Sequence, residues 1–309
     1  MNNGRIDVKY LPILAFWLLG LIWGSNFIYM KLAAALITPE QIVLLRVLFG
    51  FVPVLLYAGL RGVLQRSHLH HAHHFLVMSI LATAAYYYGF AKGTALLPSG
   101  VAGALSGAIP VFALLLALVF IPGERASLRR VLGLLAGFAG VVLIADPFST
   151  HPGAAKVQGV IYMVLGSLSL GASFIYARKY ITPLGIPPAA LATYQLGLAL
   201  PTLLVFTGLE GISHITRSPQ AAIGLVVGLG LLGTGLAYLI YYYIVDKLGA
   251  VTAASSTYIP PVVALVIGAV LVGEPITARD YLAAGLIFVA VVLISARTRP
   301  VARPLAVAE

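Results

Sequence analysis

Residues 110–144 read PVFALLLALVFIPGERASLRRVLGLLAGFAGVVLI, and residues 260–294 read PPVVALVIGAVLVGEPITARDYLAAGLIFVAVVLI. The two stretches share a proline, a Gly-Glu pair, an arginine and a closing Val-Val-Leu-Ile run at one spacing (260 − 110 = 150). Residues 23–31, WGSNFIYMK, recur in the same way as residues 170–178, LGASFIYAR, at a spacing of 147. Apolar composition alone would not place the same polar and apolar residues at a constant spacing, so the pattern indicates a duplicated unit.

The composition places both copies in a bilayer. Of the 309 residues, 61% are hydrophobic and 9% are charged, which leaves too little polar surface to cover a soluble protein. The net charge of +10 is typical of membrane proteins whose cytoplasmic loops collect Lys and Arg, so we expect no nucleic-acid partner. The absence of cysteine excludes thiol catalysis, disulfides and cysteine metal sites.

Ten stretches of the chain are long and apolar enough to cross a bilayer, which takes roughly 20 residues of helix. Prolines lie at or near many of their ends, where a helix tolerates them best. The sequence therefore predicts an all-α membrane protein with ten transmembrane helices and no separate soluble domain. The predicted helices are 10–33, 39–60, 75–97, 99–121, 128–146, 157–178, 187–207, 221–246, 249–272 and 278–296.

The Lys and Arg residues between the predicted helices set the orientation. With a cytoplasmic N-terminus, thirteen of them lie inside and five outside, which predicts that both termini are cytoplasmic. The first five-helix repeat covers residues 10–146 and the second covers 157–296, and together they form one membrane domain. Because five is odd, the second copy enters the membrane upside down. Inverted-topology repeats of this kind are typical of carriers that work by alternating access.

Four motifs resemble the drug/metabolite transporter superfamily, and most closely its ten-helix EamA-type branch. They are WGSNF at residues 23–27, the Leu45-Arg46 pair, PGER at residues 122–125 and GVVLI at residues 140–144. The resemblance covers residues 10–296 and implies an exporter in the inner (plasma) membrane that needs neither ATP nor a cofactor. The branch includes bacterial exporters of amino acids, aromatic ones among them, so the resemblance implies a substrate of that class.

The two copies differ at three matched positions in their first helices. The second copy has Leu170, Ala172 and Ser173 where the first has Trp23, Ser25 and Asn26. Because the polar and aromatic groups at these positions are concentrated in the first copy, we expect the first half to make most of the contacts that recognise the substrate.

Prolines lie near the centres of the fourth and ninth predicted helices, at Pro110 and at the pair Pro260 and Pro261. A proline there removes a backbone hydrogen bond and kinks the helix, and broken helices at matching positions point to the site of a carrier. We expect these prolines to line or gate that site, although kinks can also serve only to shape the bundle. Ser106 and Ser256 precede the kinks at matching positions; such hydroxyls bind substrates or bond to a carbonyl of their own helix.

A run of three tyrosines lies midway along the third predicted helix, far from the membrane interfaces where tyrosine is usual. Three consecutive residues turn through about 200° of helix, so at least one phenol must point into the bundle and find a partner there. By contrast, the tyrosines at 241–243 lie near the cytoplasmic end and fit an interfacial belt. The predicted aromatic cavity is lined by Tyr86, Tyr87, Tyr88, Trp23, Asn26 and Tyr238.

Charged side chains at membrane depth are rare in this chain. No Asp or Glu lies in the middle of a predicted helix, which disfavours the carboxylate-driven antiport of bulky cations. Arg46 is the one clear intramembrane charge, about 10 Å into its helix at 1.5 Å per residue. It either meets a substrate carboxylate, or it snorkels or bonds backbone carbonyls, and the sequence leaves these alternatives open.

The seven histidines all fall in predicted loops. Five of them form the run HLHHAHH at residues 68–74, which we interpret as a solvated basic loop and not as a metal site.

Taken together, these patterns predict a secondary transporter that exports small neutral or zwitterionic metabolites, amino acids first, by alternating access. Drugs, purines and nucleotide sugars are the alternative cargoes. A membrane enzyme is not expected, because no serine-histidine pair or pair of aspartates lies at depth, and no phosphate-binding loop is present. The expected partners are the substrate and the lipid bilayer, and packing within one monomer accounts for spacings such as Gly103 to Gly107. No metal or catalytic residue is expected.

Overall fold

A computed structural model of the protein describes residues 10–122, 127–146, 153–248, 253 and 256–295. Within this part of the chain every regular element is helical, which confirms the predicted all-α class. We number the principal helical segments in chain order. They are α1 Leu11–Ala34, α2 Pro39–Leu60, α3 Arg66–Leu96, α4 Ser99–Phe120, α5 Leu128–Ala145, α6 Ala154–Leu184, α7 Pro188–Phe206, α8 Pro219–Leu248, α9 Ser256–Leu271 and α10 Ala278–Ser295.

The segments α1 to α8 are each long and apolar enough to cross a membrane. Large apolar side chains lie on the outer surface of the bundle, among them Trp17 at 55% and Leu56 at 60% exposure, as expected of a lipid-facing surface. The chain is therefore a multi-pass membrane protein. Segment α9 is shorter than the predicted helix 249–272, most of whose first seven residues fall outside the described part, as do residue 296 and the repeat residues Gly123 and Glu124. Ten crossings remain a prediction.

Local sequence signals define several helix ends. Thr38 and Gln41 form a reciprocal capping box at the start of α2, with Pro39 in the first turn. Ser127 accepts a hydrogen bond from the backbone N–H of Arg130 at the start of α5. At the end of that helix Asp146 takes the left-handed conformation, with φ of 50°.

Irregular turns occur at matching positions of four helices in the two halves. A 3₁₀ turn at Ser106–Ala108 breaks α4, and its counterpart at Ser256–Tyr258 opens α9. Each turn leads into a new α-helical stretch, at Ile109 and Ile259, with Pro110 and Pro260 as its second residue. The helix α3 contains a π turn at Ile80–Ala84, and α8 contains a longer π segment at Gly224–Leu236. A proline has no N–H to continue the preceding hydrogen bonds, which explains the break in α4 and the 3₁₀ turn at the start of α9.

The packing of the helices is symmetric under exchange of the two halves. Helix α1 packs on α8 and α9, and its counterpart α6 packs on α3 and α4. In the same way α2 packs on α8, and α7 packs on α3. In three further cases a helix packs directly on its counterpart in the other half: α2 on α7, α4 on α9, and α5 on α10.

The histidine run does not form the predicted loop. Residues Arg66–His71 form a 3₁₀ turn, and the α-helical part of α3 begins at Ala72. The ring of His68 is buried and lies edge-on to Tyr194, with ring centroids 5.8 Å apart. The prediction was wrong because aromatic neighbours from α6 and α7 give these polar residues partners that their local sequence does not reveal. In the described part of the chain, no three His, Cys, Asp or Glu residues are arranged to hold a metal.

Glycine allows the close crossing of α3 and α6. A Cβ atom on Gly89 would lie 2.7 Å from the Tyr162 carbonyl oxygen and 2.9 Å from the Gly166 Cα, both of which are backbone atoms that cannot turn aside. We therefore expect Gly89→Ala to destabilise the protein by about 1–3 kcal/mol through overpacking. Gly285→Ala in α10 is the matched control, because nothing lies within 4 Å of its added Cβ. Thermal melting in detergent checks this, and equal melting temperatures for the two variants would contradict it.

Candidate functional site

Arg46 lies at the centre of the bundle, only 3% exposed. Its Nε donates to the Thr234 hydroxyl at 3.0 Å, and one terminal nitrogen donates to the Gly233 carbonyl oxygen at 3.4 Å. The Tyr87 ring lies face-on to the guanidinium, with its centroid 3.8 Å from Cζ. Among the described residues no carboxylate pairs with this arginine. Arg46 is therefore a buried cation whose described partners are all neutral, and it does not snorkel to an interface.

Asn26 on α1 completes the arginine environment. The amide orientation that suits both of its neighbours places the oxygen 3.2 Å from an Arg46 terminal nitrogen and the amide nitrogen 3.2 Å from the Ile22 carbonyl oxygen. The side chain is 5% exposed. Asn26 thus links α1 to the charge carried by α2.

The π segment of α8 brings its backbone within reach of Arg46. The Thr234 hydroxyl donates to the Leu229 carbonyl oxygen, five residues back, at 3.0 Å, while it accepts from Arg46. At Gly233 a Cβ atom would collide with the Asn26 side chain, so only glycine lets α8 approach α1 this closely. π turns of this kind occur often at functional sites.

A second polar contact repeats the first on the other side of the bundle. Gln195 on α7 donates to the Thr83 hydroxyl at 2.8 Å and contacts the Tyr238 hydroxyl at 3.3 Å. Thr83 and Thr234 are 151 residues apart (234 − 83), and Arg46 and Gln195 are 149 apart (195 − 46), close to the repeat spacing. Both threonines lie in π turns. The same contact therefore occurs twice, with a cation in the first copy and a neutral amide in the second.

Tyr87 and Tyr238 connect these two contacts. Tyr87 covers the Arg46 guanidinium, and Tyr238, whose hydroxyl contacts Gln195, packs against the same buried cluster as Tyr87. Tyr86 packs on Tyr87 at 4.8 Å between ring centroids, and Tyr242 stacks on Tyr238 at 6.1 Å. We call the connected set the central network. It comprises Asn26, Arg46, Thr83, Tyr87, Gln195, Thr234 and Tyr238.

The predicted site residues divide into two groups. Asn26, Arg46, Tyr87 and Tyr238 come together in the central network, with Tyr86 packed against it. Trp23 does not join them, because it packs on Tyr241 in a separate apolar cluster at 6.1 Å between ring centroids. Tyr88 also points elsewhere, toward Tyr162 at 6.0 Å and toward the Glu40 carboxylate.

The two serines that precede the kinks bond within their own helices. The Ser106 hydroxyl donates to the Gly103 carbonyl oxygen at 2.6 Å, and the Ser256 hydroxyl donates to the Ala253 carbonyl oxygen at 2.7 Å. Both side chains are buried. Of the two alternatives for these hydroxyls, the structure has the bond to the carbonyl three residues back, which supports the 3₁₀ turns.

Sequence reasoning missed Thr83, Gln195 and Thr234. The available signal was their position: each is a polar residue near the middle of an apolar stretch, where it needs a hydrogen-bonding partner. The spacing of Arg46 and Gln195 close to the repeat period was a second signal.

One end of the bundle, which is the end predicted to face outside, is held by contacts between the two halves. The Glu274 carboxylate, in the α9–α10 turn, accepts from the backbone N–H groups of Ser99 at 2.7 Å and Gly100 at 3.0 Å, in the first turn of α4. We call these two contacts of Glu274 the Glu274 clasp. Nearby, within the first half, the Lys31 ammonium donates to the carbonyl oxygens of Ala95 at 3.1 Å and Leu97 at 2.8 Å, at the end of α3.

Two ion pairs lie at the same end of the bundle. Asp146, at the end of α5, pairs with Arg279, at the start of α10, at 2.5 Å. Lys156 at the start of α6 pairs with Asp280 at 3.5 Å. The first pair joins the two halves, whereas the second lies within the second half.

Comparison with known proteins assigns this chain to a family. The model of the EamA-like transporter family matches the chain twice, at residues 11–145 and 157–296. The two matches coincide closely with the two halves that the internal repeat defines.

Individual proteins are similar over most of the chain. An uncharacterized inner membrane transporter of Escherichia coli K12, YedA, is 26% identical over 295 residues, which cover 93% of this chain and 92% of that protein. A probable terminal-alkyne amino-acid exporter of Streptantibioticus cattleyicolor is 29% identical over 202 residues, 65% of each chain. A solved crystal structure superposes with a TM-score of 0.54 at 20% identity, covering 92% of this chain and 96% of that one. This last likeness concerns the fold alone.

Proposed function

This chain belongs to the EamA-like transporter family, and from that premise we propose that it exports amino acids, aromatic and other neutral ones, by alternating access without ATP. Because YedA is named an inner membrane transporter, we place the protein in the inner (plasma) membrane. The similarity to a probable amino-acid exporter supports the same class of cargo.

The observation that carries this proposal is the buried Arg46 with neutral partners. A buried charge is costly unless an opposite charge accompanies it. A carboxylate on the cargo supplies the opposite charge, and its two oxygens match the planar donors of a guanidinium. Amino acids bring one such group on a compact body.

The remainder of the central network suits the rest of an amino acid. Tyr87, Tyr238 and Gln195 offer aromatic faces and hydroxyl and amide groups with no fixed charge. An ammonium group bonds well to hydroxyl oxygens and aromatic faces, and an apolar side chain packs on the same rings. The cation in the first copy and the amide in the second thus fit the two ends of a zwitterion.

The two-fold pattern of packing supports alternating access. If the halves form an inverted repeat, exchanging their conformations turns a carrier open to one side into a carrier open to the other. The Glu274 clasp and the Asp146–Arg279 pair join the halves at the end predicted to face outside. We infer that both contacts hold that end closed and must break when cargo leaves.

Growth protection tests this function: bacteria that express the protein should tolerate toxic analogues of aromatic and neutral amino acids better than bacteria that carry an empty vector. A parallel panel of purine analogues and lipophilic drugs separates the alternative cargoes. Protection against the drugs or purines with none against the amino-acid analogues would overturn the cargo assignment.

A further inference from the structure

An apolar groove runs between α3, α4 and α6 on the surface of the bundle. It has a volume of about 300 Å³ and opens outward, toward the space that lipid occupies around a membrane protein. Its floor and walls are the side chains of Leu81, Leu116, Phe120, Ala172 and Ile175. The groove therefore offers a hydrocarbon chain an apolar track along the protein.

One end of this groove is basic and aromatic. Lys179 lies there with its ammonium 5.2 Å from the centroid of the Tyr180 ring. His74 bonds to the Tyr176 hydroxyl at 2.7 Å and stacks on Tyr180 at 5.9 Å between ring centroids. The rings of His71 and His73 lie 6.2 and 4.0 Å from His74. Lysine and imidazole groups at the end of a lipid-sized track are complementary to a phosphate group.

The predicted orientation places this end in the cytoplasmic leaflet. The positive-inside rule places the first residues of α3 and the last residues of α6 on the cytoplasmic side. That leaflet carries the anionic phospholipids, which attract basic residues at the membrane surface.

The internal repeat provides a second groove for comparison. It lies between α1, α8 and α9, and the residues Ser25, Tyr29 and Val266 that line it are the counterparts of Ala172, Tyr176 and Leu116. The position that corresponds to Lys179 is Leu32 (179 − 147 = 32). Both grooves are lined mainly by apolar side chains, but of the two only the α3–α4–α6 groove has a lysine among the residues that line it.

We propose that the α3–α4–α6 groove binds an anionic phospholipid, with one acyl chain along the apolar track and the phosphate against Lys179 and the neighbouring histidines. The lipid spans α3 and α6 beside their π turns, Ile80–Ala84 and Ala177–Ile181, and so ties the two helices together. This site is separate from the central network and does not depend on which cargo the protein carries.

Native mass spectrometry of the purified protein in detergent, with added phosphatidylglycerol or phosphatidylcholine, tests the site. We expect phosphatidylglycerol to bind more tightly, and Lys179→Gln to weaken its binding about fivefold, the effect of one basic residue near a membrane surface. Lys247→Gln is the control: this lysine is also predicted to be cytoplasmic, its side chain is 52% exposed, and it lies away from the groove. It should leave binding unchanged.

A second pair of variants tests the acyl track. Ala172→Leu should reduce the binding of phosphatidylglycerol, whereas Ser25→Leu at the matched position of the other groove should not. Two results would overturn the proposal: equal binding of the two lipids, or unchanged phosphatidylglycerol binding in both Lys179→Gln and Ala172→Leu. Displacement of the lipid by soluble glycerol phosphate would also overturn it, because it would indicate a site for phosphate alone.

Discussion

Replacing Arg46 by methionine is expected to reduce amino-acid transport at least 10- to 100-fold at low substrate concentration. A hydrogen bond to a charged group contributes about 1.5–3 kcal/mol, and each 1.4 kcal/mol corresponds to a tenfold change in an equilibrium constant. Methionine fills a similar volume but carries no charge to meet a carboxylate. The measurement is the initial rate of uptake of labelled amino acid into proteoliposomes.

Two features of the experiment separate substrate binding from a structural role for Arg46. In the unaltered protein, amino-acid amides, which lack the carboxylate, should compete at least tenfold more weakly than the corresponding amino acids, and Arg46→Met should lose this preference. Arg46→Lys keeps the charge but not the planar donors or the stacking on Tyr87, so we expect an intermediate rate.

The matched control is Gln195→Leu, which removes the symmetry-related contact to Thr83. It should weaken transport without changing the preference for a carboxylate. If Arg46 served only to hold α2 against α8, Arg46→Met would lower the melting temperature and the preference between acid and amide would persist. That outcome would contradict the proposed role.

Neutralising Glu274 is expected to open the end of the bundle that it helps to close. Glu274→Gln keeps the shape of the side chain but leaves one neutral acceptor oxygen for the two backbone N–H groups of α4, because the amide nitrogen is itself a donor. Because the chain has no native cysteine, a single Ala102→Cys substitution gives a clean probe at a fully buried position of α4. We expect a membrane-impermeant thiol reagent to label this cysteine about 5- to 30-fold faster in Glu274→Gln cells, which corresponds to a loss of about 1–2 kcal/mol of hydrogen-bond energy.

Lys156→Gln provides the control for this measurement. It removes an ion pair at the same end of the bundle, but the pair with Asp280 lies within the second half and does not join the halves. Its labelling rate should match that of the parent. Equal labelling of all three proteins would mean that the Glu274 clasp does not control access from this end.

The apolar composition made the all-helical class predictable from the sequence, and the internal repeat made the matching turns of the two halves predictable. Pro110 and Pro260 mark the 3₁₀ turns of α4 and α9 because proline lacks the N–H group that a continuous helix requires. Arg46 was identifiable as the one charge at membrane depth, since burying a lone charge in an apolar stretch demands a reason.

The π turns could not be predicted from the sequence. The site residues that these turns position could therefore not be predicted either. Thr83 and Thr234 reach their partners because the backbone hydrogen bonds of α3 and α8 shift by one residue, a change that hydrophobic periodicity does not record. Trp23 was misjudged for a related reason. Helix α1 is apolar on most faces, so its sequence does not reveal that Trp23 turns toward Tyr241 while Asn26 turns toward Arg46.

The most direct test of the account is efflux of labelled phenylalanine from proteoliposomes, with and without a proton gradient. We predict saturable, ATP-independent efflux that neutral amino acids inhibit, that phenylalanine amide does not inhibit, and that Arg46→Met abolishes. Failure of every amino acid to move or to compete, in protein that remains folded and monodisperse, would contradict the account.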